Sequence, residues 1–372
     1  MESIIEAIQE EAAFDAFIQE NMRLSTYVPL WQSEVEDTEY TSTGNFSTYT
    51  ASYGAAMVAS LIEKNADKPL SELDAIGQIT GSIARMGDRF QLDNDRLETL
   101  LQMEDRFRRK EATFSETQHK TEFLKIVKFL FDPYERAAIA PHKRLDMMLF
   151  EAISNGTITV NSNNNPKGIT LPTPLDLGIA KFGTQGLVWN AANIAGMKAV
   201  EDFTFVINQM KTKGRIVQKL RMTQATFNKL TASNQFNSSV KLTVGNLEVN
   251  PVGLLSLENV NRYLTSLQLP AIQIEEKYVK LQNGTMINMF HDDRVVFQCA
   301  ASVSKMVLKD PLESRLPLPN RQYSTVSDNL ISQYITERGR FVEYEMLGMP
   351  VVSGGEDLAI LLVDTTNATL NP

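Results

Sequence analysis

Cysteine is almost missing from this chain: among its 372 residues only Cys299 carries a thiol. No intramolecular disulfide can form, so a reducing cytoplasm is the expected birthplace. Cys299 lies in the apolar run Val295-Val-Phe-Gln-Cys-Ala300 and reads as a small buried hydrophobe rather than a nucleophile. Histidine is nearly as scarce, with only His119, His142 and His291. Long apolar runs are absent too, and no stretch approaches the ~20 residues of a membrane span. The opening Met1-Glu-Ser-Ile-Ile-Glu-Ala-Ile has no basic region before its apolar residues, so no secretory signal is expected there. Positive charge is in deficit: 36 Lys and Arg against 45 Asp and Glu leave a net charge of −9. That argues against an open nucleic-acid-binding face, which needs clustered cations. It does not exclude a container around DNA, whose wall must not grip phosphate tightly.

Signatures of chemistry are missing as well. There is no G-x-x-x-x-G-K-[ST], G-x-G-x-x-G, H-E-x-x-H or G-x-S-x-G. Val352-Ser-Gly-Gly-Glu-Asp357 is glycine-rich, but a phosphate cradle needs a helix N-terminus to follow, and none is expected. His291-Asp292-Asp293 is the one metal-like cluster. Neighbours on a strand or turn point to different sides, so it reads as a polar hairpin turn between Met289-Phe290 and Val295-Val296. His119 and His142 fall in charged helices and are expected on the surface, as are Lys64 and Lys68. No carboxylate pair is singled out by an apolar pocket. The sequence therefore offers no catalytic, cofactor-binding or metal-ligating residue, and the chain reads as non-enzymatic.

What is present is a folded chain, 43% hydrophobic and 22% charged. Ile4, Ile5, Ile8, Ala12, Phe17 and Ile18 keep helical spacing over 3–23, a stripe suited either to the chain's own domain or to a neighbouring subunit. Thr41-Ser-Thr-Gly-Asn-Phe-Ser-Thr-Tyr-Thr-Ala-Ser-Tyr-Gly54 has few aliphatics and reads as an extended hairpin with little core of its own. Glycines 77, 81 and 87 forbid a continuous helix there. Residues 93–107 return to helical spacing, with a solvated charged face. Asp132 and Pro133 suit a helix start, Asn155-Gly156 a stop, and Pro141 a bend near 139–141. A hairpin is expected to pair Thr157–Val160 with Ile169–Leu171. Beyond Trp189 the pattern runs helix (194–211), strand (215–222), helix (capped by Thr223), strand (238–250), helix (capped by Ser256) and strand (272–279). The turn Asn283-Gly284 follows. A strand–turn–strand then comes over 286–300, and a last apolar strand after the Gly348-Met-Pro turn. That is a mixed α/β unit.

The order of these elements resembles the lambda-type major capsid proteins of tailed bacteriophages, which have the HK97-like fold. The residues that carry the likeness are the Thr/Ser/Gly-rich loop, the helix ending at Asn155-Gly156, Trp189 and the helix to Gly214. With them go Met289-Phe-His-Asp-Asp-Arg-Val-Val-Phe297 and Gly348-Met-Pro-Val-Val352. The family's Pro-Asp-Gly-like turn reads His291-Asp-Asp-Arg294 here, and residues 57–130 have no clear counterpart. The resemblance implies an α+β fold in five parts: an N-terminal arm over 1–35, an extended E-loop with an elaboration over 36–131, a long spine helix and peripheral P-domain over 132–200, an axial A-domain over 201–320, and returning C-terminal strands over 321–372. It implies a subunit that assembles with itself into pentamers and hexamers of an icosahedral head enclosing double-stranded DNA. Implied partners are a scaffolding protein, a portal and a decoration protein, with no cofactor and no membrane. Assembly would occur in the host bacterial cytoplasm and the product would be the virion capsid. A tail tube or sheath component and an encapsulin-like shell are the alternatives. Some relatives link a loop lysine to a neighbour's asparagine, and Lys64 and Lys68 lie in the corresponding region.

Overall fold

Ser115 opens the longest element. Its hydroxyl accepts from the Gln118 N–H at 3.4 Å, and the Gln118 side chain accepts from the Ser115 N–H at 3.1 Å, a reciprocal cap that satisfies two otherwise orphaned donors. From there one helix of 40 residues runs over Glu116–Asn155. Gly156 ends it in the left-handed region (φ 67°), where a side chain would be strained. The structure, a computed structural model, describes residues 10–23, 25, 27–42, 45–51, 76–110, 113–240, 242–244, 247–249, 255–337, 339–352 and 354–370.

The helix thus starts well before the expected Asp132, whose carboxylate instead pairs with Arg96 and Arg136, each at 3.1 Å. It also passes through Pro133 and Pro141. A proline has no N–H, so each strips a bond from the carbonyl four residues earlier. Both carbonyls are satisfied from outside: Phe129 O accepts from Arg96 Nη2 at 2.7 Å, and Ala137 O from Asn329 Nδ2 at 2.9 Å. Tertiary contacts replace the missing ladder bonds, which is why the expected break does not occur. Asn329→Leu is expected to lower the urea midpoint by about 1–3 kcal/mol of stability, the cost of a buried acceptor left unmade. That loss should shrink in a Pro141→Ala background, where the restored N–H can reach Ala137.

Two sheets pack against this helix. The seven-stranded sheet runs Val35–Tyr40, Ser304–Lys309, Gly339–Val352, Asn329–Thr336, Arg321–Val326, with Ala84–Met86 and Arg89–Leu92 also paired to Gly339–Val352. The five-stranded sheet runs Ile272–Ile274, Lys219–Met222, Arg294–Gln298, Leu358–Thr366, Ala180–Thr184. One core joins the helix stretch Leu145–Ile153 to both sheets, through Val296 and Ile360 on one side and Met306 and Met346 on the other. A second lies under the helices Ala199–Thr212, Gln224–Ala232 and Leu257–Ser266, around Phe203, Leu220, Phe227, Leu264 and Phe297. A third joins the helices Glu11–Arg23 and Asn94–Lys110 to the first half of the long helix, around Phe14, Ile18, Leu100, Tyr134 and Val342.

Several local expectations change. Gly348 is not a turn but lies inside the 14-residue strand Gly339–Val352, where a Cβ would meet Leu308 at 2.7 Å. The stretch 272–279 splits in two, Ile272–Ile274 and Tyr278–Lys280, which belong to different sheets. Tyr278–Lys280 pairs instead with Met286–Asn288 across the Asn283-Gly284 turn, whose Gly284 takes φ 88°. Residues 286–298 therefore form no hairpin of their own. Thr157–Ile158 pairs with Leu175–Asp176 rather than 169–171. The region 238–250 holds two short antiparallel strands, Leu242–Val244 and Leu247–Val249. The Thr223 and Ser256 caps stand where expected, each accepting from the backbone three residues on.

Candidate assembly interface

The metal-like cluster comes apart in three dimensions. The His291 N–H donates to Ser154 Oγ at 3.1 Å, Asp292 accepts from Thr223 Oγ1 at 2.6 Å, and Asp293 pairs with Lys229. His291 is thus fastened to the end of the long helix, while Asp292 and Asp293 hold the cap and the body of the helix Gln224–Ala232. Among the described residues no group of three or more His, Cys, Asp or Glu is placed to hold a metal. Cys299 is buried as expected, and burial pushes its thiol up to about 11, which removes the thiolate needed for reactivity. The glycine-rich 352–357 stretch leads through a single 3-10 turn, Gly355–Asp357, into a strand, so it makes no phosphate cradle. Lys64 and Lys68 lie outside the described residues.

One dense charge cluster among the described residues was missed in the sequence reading. Arg221 is fully buried in the strand Lys219–Met222. Its guanidinium grips Glu34 with two bonds (2.8 and 2.9 Å), Glu275 at 2.7 Å and Gln298 at 3.1 Å. Lys277 reaches both carboxylates, Glu34 at 3.3 Å and Glu275 at 3.1 Å, and stands 4.1 Å from the centre of the Phe150 ring. Burial alone would raise the Glu34 carboxyl, but Arg221 and Lys277 outweigh it and hold it below its ordinary range. The charges compensate one another and each has partners, so the cluster is a clamp rather than a reaction centre. The only available signal was an arginine inside an apolar strand pattern.

The clamp fixes the segment that precedes the strand Val35–Tyr40. Trp31 is buried against the long helix, with its N–H on Asp146 Oδ1 at 2.7 Å and its indole N–H on His142 Nδ1 at 3.3 Å. Tyr27 also donates to Asp146, at 3.3 Å. His142 is therefore buried, not on the surface, because Trp31 stacks over it at 6.2 Å between ring centres. Burial pushes His142 down to about 4 and Asp146 up to about 6. A cleft of about 450 Å³ opens beside Asp146, but both carboxylate oxygens are engaged by Trp31 and Tyr27, so Asp146 fastens the segment.

The two shifts act oppositely on stability. The depressed His142 withdraws stability as pH falls from 6.5 toward 4, because the unfolded chain binds the proton first. The raised Asp146 returns stability as pH falls from 6 toward 3.8, because the folded chain binds it first. Thermal unfolding of Asp146→Asn should therefore lose about 3 kcal/mol against wild type between pH 6.5 and 4, and His142→Gln should gain about as much.

Other surfaces are left open. The strands Asn45–Ala51 and Ile76–Ser82 pair with each other over seven register positions and with no other strand among the described residues. The stretch 41–54, expected to form a hairpin by itself, thus supplies one strand of a two-stranded ribbon whose partner lies elsewhere in the chain. Its return strand lies in the glycine-broken region 76–82, where Gly77 and Gly81 face Thr50 and Phe46 in register. Among the described residues the strand Val35–Tyr40 pairs on one edge only. Large apolar side chains stand exposed at Tyr40, Leu101, Phe123, Leu124, Leu312 and Leu316. No helix among the described residues is long and apolar enough to cross a membrane.

No family model and no curated protein matches this chain. Among solved structures, it is similar to a protein of an Escherichia coli CFT073 prophage assigned as its capsid protein, with a TM-score of 0.54 and 13% identity over 95% of this chain and 98% of that one. It is also similar to a phage-related protein of Bordetella bronchiseptica RB50 (TM-score 0.43, 8% identity, 96% and 98% covered). The capsid of the Myoviridae phage XM1 gives a TM-score of 0.42 at 11% identity, with 90% and 91% covered. The first comparison carries the fold: near full length on both sides, this is the α+β phage-capsid architecture that the sequence resembles.

Proposed function

We propose that this chain is a non-enzymatic shell subunit that assembles with copies of itself into pentamers and hexamers of an icosahedral phage head around double-stranded DNA. The observation that carries the reading is the hairpin Asn45–Ala51/Ile76–Ser82, which forms a sheet of its own within a capsid fold. A two-stranded ribbon is marginal in water by itself, so a neighbouring copy completes its burial. Closed heterologous rings are the geometry that such contacts require.

In this reading residues 1–35 are the arm, 36–131 the extended loop with its elaboration, 132–200 the spine and peripheral domain, 201–320 the axial domain, and 321–372 the returning strands. The net charge of −9 suits a wall that encloses DNA without binding it in sequence-specific fashion. A scaffolding protein, a portal and a decoration protein are the further partners of such a subunit, the host cytoplasm its place of assembly and the virion its destination. No observation favours a tail tube, a sheath or an encapsulin-like shell over this reading. Electron microscopy and sedimentation of the purified chain, alone and with a co-expressed scaffold, test it. Uniform shells, tubes or ring-shaped capsomers are expected, and a chain that stays monomeric at high concentration in both settings overturns the reading.

A further inference from the structure

Two exposed surfaces of opposite charge, neither covered by another element among the described residues, lie far apart on this chain. The first is the tip of the helical pair. There Leu101, Phe123 and Leu124 are exposed, and the helix Asn94–Lys110 ends on Arg106, Arg108, Arg109 and Lys110, all solvent-facing. Arg108 reaches back to Glu104, and across the pair the single carboxylate of Glu122 is bound by Lys125 and also drawn down by Arg106 and Lys110, which leaves the tip with an excess of positive charge. The second surface is the open edge of the seven-stranded sheet. Along Val35–Tyr40 the residues Glu36, Asp37, Glu39 and Tyr40 are exposed, and exposed Leu312 and Leu316 follow just beyond the neighbouring strand. Asp37 stands opposite Lys305 in the register, while Glu36 falls at the irregularity and Glu39 faces Val307. Each surface thus combines apolar side chains with a charged border, the anatomy of a protein interface.

They cannot meet within one chain. The strand's end is tied through Tyr40 to Asp328 at 2.9 Å, and the next residue, Asn329, bonds Ala137 of the long helix. The basic tip packs Phe107 against His119 and Phe123 of the same helix. From Glu122 to Ala137 the helix rises roughly 22 Å at about 1.5 Å per residue, well past the ~8 Å over which physiological salt screens charge.

We infer that the basic tip of the helical pair docks on the acidic edge strand Val35–Tyr40 of a second copy, a head-to-tail contact. Because tip and edge are different surfaces, the contact is heterologous and propagates into a ring or an open chain. It rests on the shell reading only in taking a second copy as the occupant.

Charge reversal in the full-length chain tests it. Arg106→Glu/Arg109→Glu/Lys110→Glu and, separately, Glu36→Lys/Glu39→Lys should each raise the concentration needed for assembly roughly tenfold or more, through like-charge contact. Both sets should stay folded: Glu36→Lys/Glu39→Lys should melt close to wild type, and the Arg106/Arg109/Lys110 set somewhat lower, because acids replace bases at a helix C-terminus. Combining both sets in one chain restores opposite signs and should restore assembly. In shells of a chain carrying Glu39→Cys and Arg109→Cys, oxidation should link neighbouring copies. Wild type that assembles while each reversal assembles equally well, or a combined chain no better than either single set, overturns this contact and leaves the shell reading standing. Wild type that never associates overturns both. Should a reversed chain fail to fold, the salt dependence of wild-type assembly decides: weakening from low to high salt supports the contact, and no dependence overturns it.

Discussion

Arg221→Met lowers the unfolding free energy by about 3–5 kcal/mol, the largest single-residue effect expected in this protein. The mutation leaves the two carboxylates of Glu34 and Glu275 to the single, partly exposed Lys277, and the cost of an undercompensated buried charge exceeds that of a missing contact. Three lines of the fold meet at that guanidinium: the strand Lys219–Met222, the segment leading into Val35–Tyr40, and Glu275 at the end of Ile272–Ile274. The backbone of Glu34 is also held, since its carbonyl accepts from Ser302 at 2.6 Å and Ser304 at 3.1 Å. Loss of the clamp should therefore loosen the junction between the two sheets, read as a lower urea midpoint and faster amide exchange in 30–40. Replacing Glu34 and Glu275 by leucine in the same chain should recover much of the loss, because Lys277, the remaining cation, is partly exposed. A midpoint unchanged by Arg221→Met would mean that the cluster is already hydrated and contributes nothing.

Removing the hairpin should have the opposite signature, with assembly abolished and the fold kept. Asn45 lies opposite Ser82 in the register, so the cut ends are about 5 Å apart and a few Gly-Ser residues can replace 45–82. The deletion spares Val35–Tyr40, which belongs to the seven-stranded sheet. Circular dichroism and thermal unfolding should stay close to wild type, while sedimentation shows no particle above the monomer or a small oligomer. Shells that still form would remove the observation on which the proposed function stands. A body that unfolds would place the hairpin in the core.

Much of the architecture could be read locally. The Thr223 and Ser256 caps, the stop at Gly156, the Asn283-Gly284 turn and the burial of Cys299 depend on near neighbours, and the sequence places them correctly. The hairpin was legible from a composition too poor in aliphatics to bury itself, although its return strand was not, because Gly77 and Gly81 look like interruptions until Asn45–Ala51 lies beside them. The candidate interface was least legible. Glu36 and Arg109 look like ordinary surface charges until the fold sets them at the exposed edge of a sheet and the exposed end of a helix.

The amino-acid order by itself determined what depends on residues a few positions apart: caps, turns and the period of apolar side chains. Only the tertiary structure decided that Pro133 and Pro141 sit inside one helix, that His142 is buried and that Arg221 is a hub. The reason is the same in each case. A missing hydrogen bond, a desolvated ring or a buried charge is tolerable only when a distant residue supplies the partner. Arg96, Asn329, Trp31 and Glu34 stand 37, 188, 111 and 187 positions from Pro133, Pro141, His142 and Arg221.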